Sequence, residues 1–251
     1  MTNAQTTTAP DIRIFADAAA AERYVAEHIA AQMRTKPDSV LGLATGNSMI
    51  GVYRQLVELH REGAVSFAGL TSFNLDEYFG LSADDPSSFA SYMRKHLFEQ
   101  IDADPARLHL PDGNSPAAAA EYEALIAECG GIDLQLLGIG RNGHIGFNEP
   151  GSPQSSLTRL VDLTPHTREV NAADFPPGAE VPPQAVTMGI ATILASRQII
   201  LLATGAAKAE AIAQALEGPI DPACPASFLQ GHPDLIIVCD TAAAALLTPR
   251  S

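Results

Sequence analysis

The stretch LGIGRNGHIGFNEPGSP, residues 137–153, follows directly on the apolar run IDLQLL, residues 132–137. That run carries enough β-compatible apolar residues to be a buried strand. Gly138, Gly140 and Gly143 then let the backbone turn tightly and approach a ligand closely. His144, Glu149, Asn142 and Asn148 therefore collect at the carboxyl end of a strand, the edge at which an open parallel α/β sheet binds its ligands. Histidine exchanges protons with little tuning, and a carboxylate such as Glu149 can fix its tautomer and stabilise its cation. Glycine, asparagine and proline are also ordinary turn formers, and a lone loop histidine suits a plain surface position equally well. This stretch alone leaves both readings open.

Working outward, the same rhythm of strand, small-residue turn and helix recurs on either side. Residues 40–44 (VLGLA) read as a buried strand, followed by Thr45-Gly46-Asn47-Ser48 and a helix from about residue 50 to residue 61. Unpaired N–H groups at such a helix start, together with the helix dipole, favour an anion by up to roughly 1 to 2 kcal/mol. Residues 70–75 form the next strand and deliver Asp76, Glu77 and Tyr78 to the same edge. Adjacent carboxylates point in different directions, so one can face a site while the other takes a structural bond; two solvated turn residues are the plainer alternative. Downstream, residues 198–203 read as a buried strand, and Thr204-Gly205-Ala206-Ala207-Lys208 as a second strand-to-helix turn, with Lys208 opening a helix to residue 216. Lys208 is either a solvated helix residue or the local cation that an anionic substrate requires.

The remaining segments supply scaffold. Residues 12–15 predict a strand, and Asp17 caps a helix to Met33 whose Ala18, Ala21, Val25, Ile29 and Met33 make an apolar stripe. Helices are expected over residues 87–101, 117–129 and 185–194, and a final strand over residues 235–239 with a short alanine-rich helix after it. Residues 157–183 lack periodicity and contain Pro165, Pro176, Pro177, Pro182 and Pro183, the pattern of a long cover over the site. His28, His60, His96, His109 and His232 have no partner pattern and read as structural or surface residues. Strands and helices alternate throughout, so the expected fold is α/β: a doubly wound, mostly parallel, Rossmann-like sheet with helices on both faces.

Composition narrows the partners. The 251 residues, 46% of them hydrophobic, suit a single domain over residues 11–251 behind a flexible tail, residues 1–10, that lacks the features of a secretory signal. A formal charge of -14 argues against nucleic acid and anionic membrane as partners. Cys129, Cys224 and Cys239 are odd in number and lack C-x-x-C spacing, so reduced core cysteines in a cytoplasmic protein are expected, and no metal site suggests itself.

Taken together, LGLATGNSMIGVY (residues 41–53), FNLDEYFGL (73–81), LGIGRNGHIGFNEPGS (137–152), AVTMGIATIL (185–194) and ATGAAKAEAI (203–212) resemble the glucosamine-6-phosphate deaminase family in order and spacing. The likeness implies a cofactor-free, isomerising deamination of an amino sugar phosphate, glucosamine 6-phosphate, to fructose 6-phosphate and ammonia. By motif, it implies that His144, helped by Glu149 and oriented by Asn142, opens the sugar ring, and that Asp76 moves the proton from C2 to C1. Thr45, Gly46, Asn47, Ser48, Gly140 and Lys208 would bind the substrate. Three positions depart from the family pattern. Asn142 stands where many members have Asp, which removes a charge beside His144 while leaving an amide able to orient it. Asn47 takes a position usually held by a compact residue, and Ala173 one where the family commonly has an arginine gripping the substrate. Loss of one partner of a desolvated charge pair costs roughly 2 to 5 kcal/mol, so the same chemistry on an unphosphorylated or epimeric amino sugar is the main alternative. A 6-phosphogluconolactonase-like hydrolase and a non-catalytic sugar-binding regulator are further ones. A monomer or small homo-oligomer is expected. Val161 replaces a lysine common at the allosteric site of longer members, so no activation by N-acetylglucosamine 6-phosphate is expected.

Overall fold

A computed structural model describes residues 10–115 and 117–249, so the expected N-terminal tail lies outside the described residues except for Pro10. Seven strands form one sheet in the order β1 (Asp11–Phe15), β10 (Leu235–Asp240), β9 (Gln198–Ala203), β6 (Leu134–Leu137), β2 (Val40–Leu43), β3 (Thr71–Asn74) and β5 (Leu108–His109). Every pairing in it is parallel. The inner strands β2, β6 and β9 are buried except at Gln198, as the largely apolar runs VLGL, LQLL and QIILLA require when both faces are covered. The expected doubly wound α/β fold is thus borne out. From β2 the chain winds outward through β3 to β5, then returns to the other side of β2 with β6 and continues to β9 and β10. The direction of winding reverses between β2 and β6, and the crevice outside their carboxyl ends is where such folds bind ligands.

Helix α1 (Ala18–Thr35) starts as the sequence predicts, with Asp17 accepting the Ala20 N–H at 2.8 Å and Ala21, Val25, Ala26, Ile29, Ala30 and Met33 buried. It packs against β9, β10 and α2 (Asn47–Arg61). Helix α2 begins at Asn47, earlier than the periodicity suggests, because Gly46 at a φ of 106° turns the chain directly from the end of β2 into the helix. The helix expected over residues 87–101 is shorter, α3 (Phe89–His96), and a 3-10 turn at Phe98–Gln100 follows it. Helix α4 (Ala118–Glu128) is as expected.

The larger correction is a second sheet. Residues 185–194 do not form one helix: β8 (Gln184–Thr187) comes first, and only Ile190–Leu194 is helical (α6). Strand β8 pairs antiparallel with β4 (Asp76–Tyr78) on one side and β7 (Arg159–Asp162) on the other. Ala185 and Val186 are completely buried there, so pairing on both edges overrides the weak helical preference of an Ala/Met/Ile/Leu run. The aperiodic segment 157–183 likewise contains β7 and α5 (Pro165–Asn171). Tyr78, Phe147, Leu163, Phe175, Val181 and Ala185 form a small apolar core of their own beneath it. Helix α7 (Ala209–Glu217) follows β9, and the alanine-rich residues after β10 make turns instead of a helix, tied by the Ala243 N–H to Asp240 at 2.7 Å. Cys224 and Cys239 are buried and, like Cys129, unbridged. Among the described residues no helix is long and apolar enough to cross a membrane.

Candidate active site

Three turns leave the sheet side by side because β6 lies between β2 and β9. The β2 turn carries Thr45 to Ser48, the β6 turn carries Gly138 to His144, and the β9 turn carries Gly205 to Lys208. Gly138 faces Met49, whose Cε would lie 3.3 Å from an added Cβ. Lys208 reaches across from the start of α7 and donates from Nζ to the Ile139 carbonyl at 2.6 Å. The three turns thus border one crevice, and Asp76 enters it from β4.

Asp76 and Glu77 divide as adjacent strand residues must. Glu77 is structural: its carboxylate accepts the N–H groups of Tyr78 at 2.8 Å, Phe89 at 3.0 Å and Ala90 at 2.9 Å, which caps the start of α3. Burial raises the Glu77 carboxyl while those three donors pull it back down. Asp76 sits opposite Thr187 in the β4–β8 pairing and is 6% exposed. Burial first, and the neighbouring Glu77 second, push its carboxyl up to about 8. Its Oδ2 would lie 3.3 Å from a Cβ added at Gly146, so the β6 loop passes directly over it. Gly146, at a φ of 56°, leaves that space open.

The His144 side is built from the same loop. The Gly140 N–H bonds the His144 carbonyl at 2.9 Å, and the imidazole lies on the bare Gly140 Cα, where an added Cβ would be 2.3 Å from Cε1 and 2.4 Å from Nδ1. Gly140 is thus the platform of the histidine. His144 Nδ1 stands 3.5 Å from Glu149 Oε1 and makes no hydrogen bond. Asn142 joins the two residues, accepting the His144 N–H at 3.2 Å and donating to Glu149 Oε2 at 2.7 Å. The Thr167 hydroxyl of α5 donates to Glu149 Oε1 at 2.6 Å. Burial opposes ionisation of Glu149, but His144, Thr167 and Asn142 outweigh it and hold the carboxyl down at about 2.

Thr45 and Ser48 are half-buried, and Gly46 and Asn47 are exposed at the start of α2. Tyr92 fixes this turn by donating to the Gly46 carbonyl at 2.7 Å, and Tyr53 does the same at the Ala44 carbonyl. Lys208 is half-buried and forms no salt bridge with a carboxylate among the described residues; burial, and then the nearby Arg141, lower its pKa. The structure also brings in residues that the sequence reading did not single out. Thr187 donates nothing to Asp76 but accepts the Phe147 N–H at 3.1 Å, and Asn148 donates to the Ile145 and Met188 carbonyls at 2.8 Å each. Thr167 was concealed in the aperiodic segment, although Thr164-Pro165 is a cap-and-proline helix start that signals α5.

The family model of glucosamine-6-phosphate isomerases and 6-phosphogluconolactonases matches residues 15–237. The chain belongs to this family. A glucosamine-6-phosphate deaminase of Rhodopirellula baltica is 53% identical over 244 residues, 96% of this chain and 97% of the relative. The solved structure of a monomeric glucosamine-6-phosphate deaminase has a TM-score of 0.91 at 46% identity, covering 94% of this chain and 99% of the other. A 6-phosphogluconolactonase from Trypanosoma brucei has the same fold at a TM-score of 0.74 and 21% identity, covering 95% and 99%.

Two measurements follow from this geometry. Gly140→Ala must displace the imidazole, since its Cβ meets three ring atoms, and turnover falls by about 100-fold, as for a reacting group misplaced by an ångström; steady-state kinetics at unchanged melting temperature checks it. Asp76→Asn tests the buried carboxyl. Between the unfolded value of about 4 and the folded value of about 8, the native chain binds a proton that the unfolded chain has released. Stability contributed by that group is therefore lost as pH rises through this window. Urea unfolding should show the Asn variant more stable than the wild-type protein at pH 8, with the gap closing towards pH 4. A gap independent of pH means that Asp76 is not held protonated. Glu149 has the opposite sign, contributing above its unfolded value and losing its contribution as pH falls towards 2.

Proposed function

We propose that the protein, as a single cytoplasmic domain, is a glucosamine-6-phosphate deaminase that converts glucosamine 6-phosphate and water to fructose 6-phosphate and ammonia. The observation that carries this reading is the pairing of two proton-handling centres on one crevice: a buried Asp76 carboxyl with no donor among the described residues to hold its charge, and a His144–Glu149 pair on the loop that passes over it. The high identity of full-length relatives that bear this activity supports it.

His144 opens the pyranose by taking the proton of the C1 hydroxyl and returning one to the ring oxygen, and Glu149 stabilises the imidazolium between the two transfers. The open form places a carbonyl at C1, which makes the C2 proton removable. Asp76 takes that proton while the C1 oxygen gains the one that the substrate ammonium gives up, and return of the proton from Asp76 to C1 leaves a hydroxymethyl group at C1 and an iminium at C2. Water adds there, and collapse of the carbinolamine expels ammonia and leaves the ketose. A base with a folded-state value near 8 is well matched to this work, since its anion is strongly basic and its acid is a competent donor. The cationic amino group of the substrate, placed beside Asp76, favours the anion and so prepares the base on binding. For the phosphate, the Asn47 and Ser48 N–H groups at the start of α2 and the half-buried Lys208 ammonium are the available donors.

One observation favours a second reading, an amino sugar without the phosphate. Burial chiefly, and to a lesser degree Asp174 in the 3-10 turn Ala172–Asp174, raise both Tyr78 and Tyr92, and Tyr92 is bonded to the Gly46 carbonyl, so a carboxylate stands within electrostatic reach of a side chain that holds the turn expected to take the anion. Ammonia release from glucosamine 6-phosphate and from glucosamine, with Asp76→Asn as the blank, separates the two. The expected result is strong preference for the phosphorylated sugar, and for Lys208→Ala a rise in KM of more than tenfold, as for loss of one partner of a desolvated charge pair. Equal or better turnover of free glucosamine transfers the assignment to the second reading.

A further inference from the structure

We propose that Thr167 is a positioning residue that couples the segment over the site to His144, by holding the Glu149 oxygen that His144 would otherwise take. The inference rests on the deaminase reading for its catalytic half only.

Glu149 Oε1 is 2.6 Å from the Thr167 hydroxyl and 3.5 Å from His144 Nδ1, and Nδ1 has no other partner. One carboxylate oxygen thus serves two candidates and has bonded the hydroxyl. The direction of the chain of protons is fixed by elimination. A carboxylate only accepts, so the single hydroxyl proton of Thr167 points to Glu149. The Thr164 hydroxyl, 2.9 Å from Thr167 Oγ1, must then be the donor to it, while Thr164 Oγ1 accepts the Thr167 N–H at 3.1 Å. The α5 cap and the Glu149 carboxylate therefore belong to one hydrogen-bonded series, Thr164 to Thr167 to Glu149.

Thr167 is 6% exposed, which keeps water from substituting for either partner. Beyond α5 the same segment is fastened to the β4 side of the crevice: Asn171 donates to the Tyr78 hydroxyl at 2.9 Å, and Phe175 packs edge-on against the Tyr78 ring at 5.3 Å. The Thr167 hydroxyl is therefore the hydrogen bond by which this segment reaches the Glu149 carboxylate, beside the apolar packing of Leu163 and Phe175 in one cluster with Phe147. Asn142 holds the other carboxylate oxygen, Oε2, so a shift at Oε1 rotates the carboxylate about a fixed point and changes its approach to Nδ1. Seating of the segment on a substrate, with Thr167 drawn along, is what completes the His144–Glu149 contact.

Thr167→Val keeps the shape and removes the hydroxyl; Thr167→Ser keeps the hydroxyl and removes the methyl. Hydrogen exchange followed by mass spectrometry on the whole chain, with steady-state kinetics on the same samples, tests the coupling. The expected result for the Val variant is faster exchange both in residues 163–175 and in residues 138–149, with kcat lower by about tenfold and KM within about twofold. The Ser variant should match the wild-type protein in both. Wild-type exchange in the Val variant overturns the proposal, and so does faster exchange confined to residues 163–175. A Ser variant as impaired as the Val variant overturns it too, because packing and not the hydroxyl is then responsible. Wild-type kcat with altered exchange overturns the catalytic half. Absence of wild-type turnover of any amino sugar would instead defeat the deaminase reading, while the exchange comparison still decides whether Thr167 links the two segments.

Discussion

Parallel pairing of β6 with β2 on one side and β9 on the other is the constraint from which the site follows. Parallel strands send their carboxyl ends to one edge, so the turns at residues 45–48, 138–144 and 204–208 have to emerge as neighbours. Each turn then contributes what its local sequence allows. Gly46 releases the start of α2, Gly140 carries an imidazole, and Asp240, at the end of β10, accepts the Gly205 N–H at 2.9 Å and so fixes the turn from which Lys208 extends. Charge alone would not assemble these groups in a chain of net charge -14; the sheet does it through backbone hydrogen bonds that cost no side-chain charge.

The small antiparallel sheet solves a different problem, that of holding a carboxyl without donors inside the protein. Burial of a charged group is costly unless it is paired, and Asp76 is not. Strand alternation assigns the cheaper task to Glu77, which takes two N–H groups at the α3 start and that of Tyr78, and remains satisfied. Asp76 is left facing Gly146 and the crevice, with its proton retained well above the usual carboxylate range. The pairing of β4 with β8 holds the arrangement in place from one side, and two residues along β4 Tyr78 anchors the strand in an aromatic cluster with Phe89, Phe147 and Phe175. Stability is given up at one residue, and the packing around that residue offsets it.

What could be read in the chain depended on whether the signal was local. Buried parallel strands announce themselves as short apolar runs, and the glycine-rich turns after them mark the edge, so β2, β6, β9 and the loop with His144 and Glu149 were legible. Strand β8 was not, because Ala185 and Val186 have no strand signature until β4 and β7 bracket them. That misreading also hid Thr187, which supports the β6 loop over Asp76. The division of labour between Asp76 and Glu77 was foreseeable as a pair of opposed directions, but its sense depends on α3 beginning at Phe89, a tertiary fact. Thr167 is the extreme case: a hydroxyl in an aperiodic segment, whose meaning comes entirely from a carboxylate 18 residues earlier in the chain.

The departures at Asn47, Asn142 and Ala173 bear differently on the two ends of the crevice. Asn142 keeps both contacts that matter at the His144 end, one to the backbone and one to Glu149, so a neutral amide does the orienting while the negative charge stays on Glu149 alone. At the other end position 173 is an uncharged alanine, and its neighbour Asp174 carries a negative charge. On the proposed reading, Lys208 meets the phosphate with alanine, not arginine, at position 173. Burial, and then the nearby Arg141, disfavour its charged form, while the Ile139 carbonyl that it donates to supports that form. An arriving phosphate relieves that cost, whereas a neutral hydroxymethyl group would not. On the proposed reading, the desolvated ammonium of Lys208 favours an anionic substrate while the carboxylate of Asp174 disfavours one, and the preference for the phosphorylated over the free sugar reports the balance between the two.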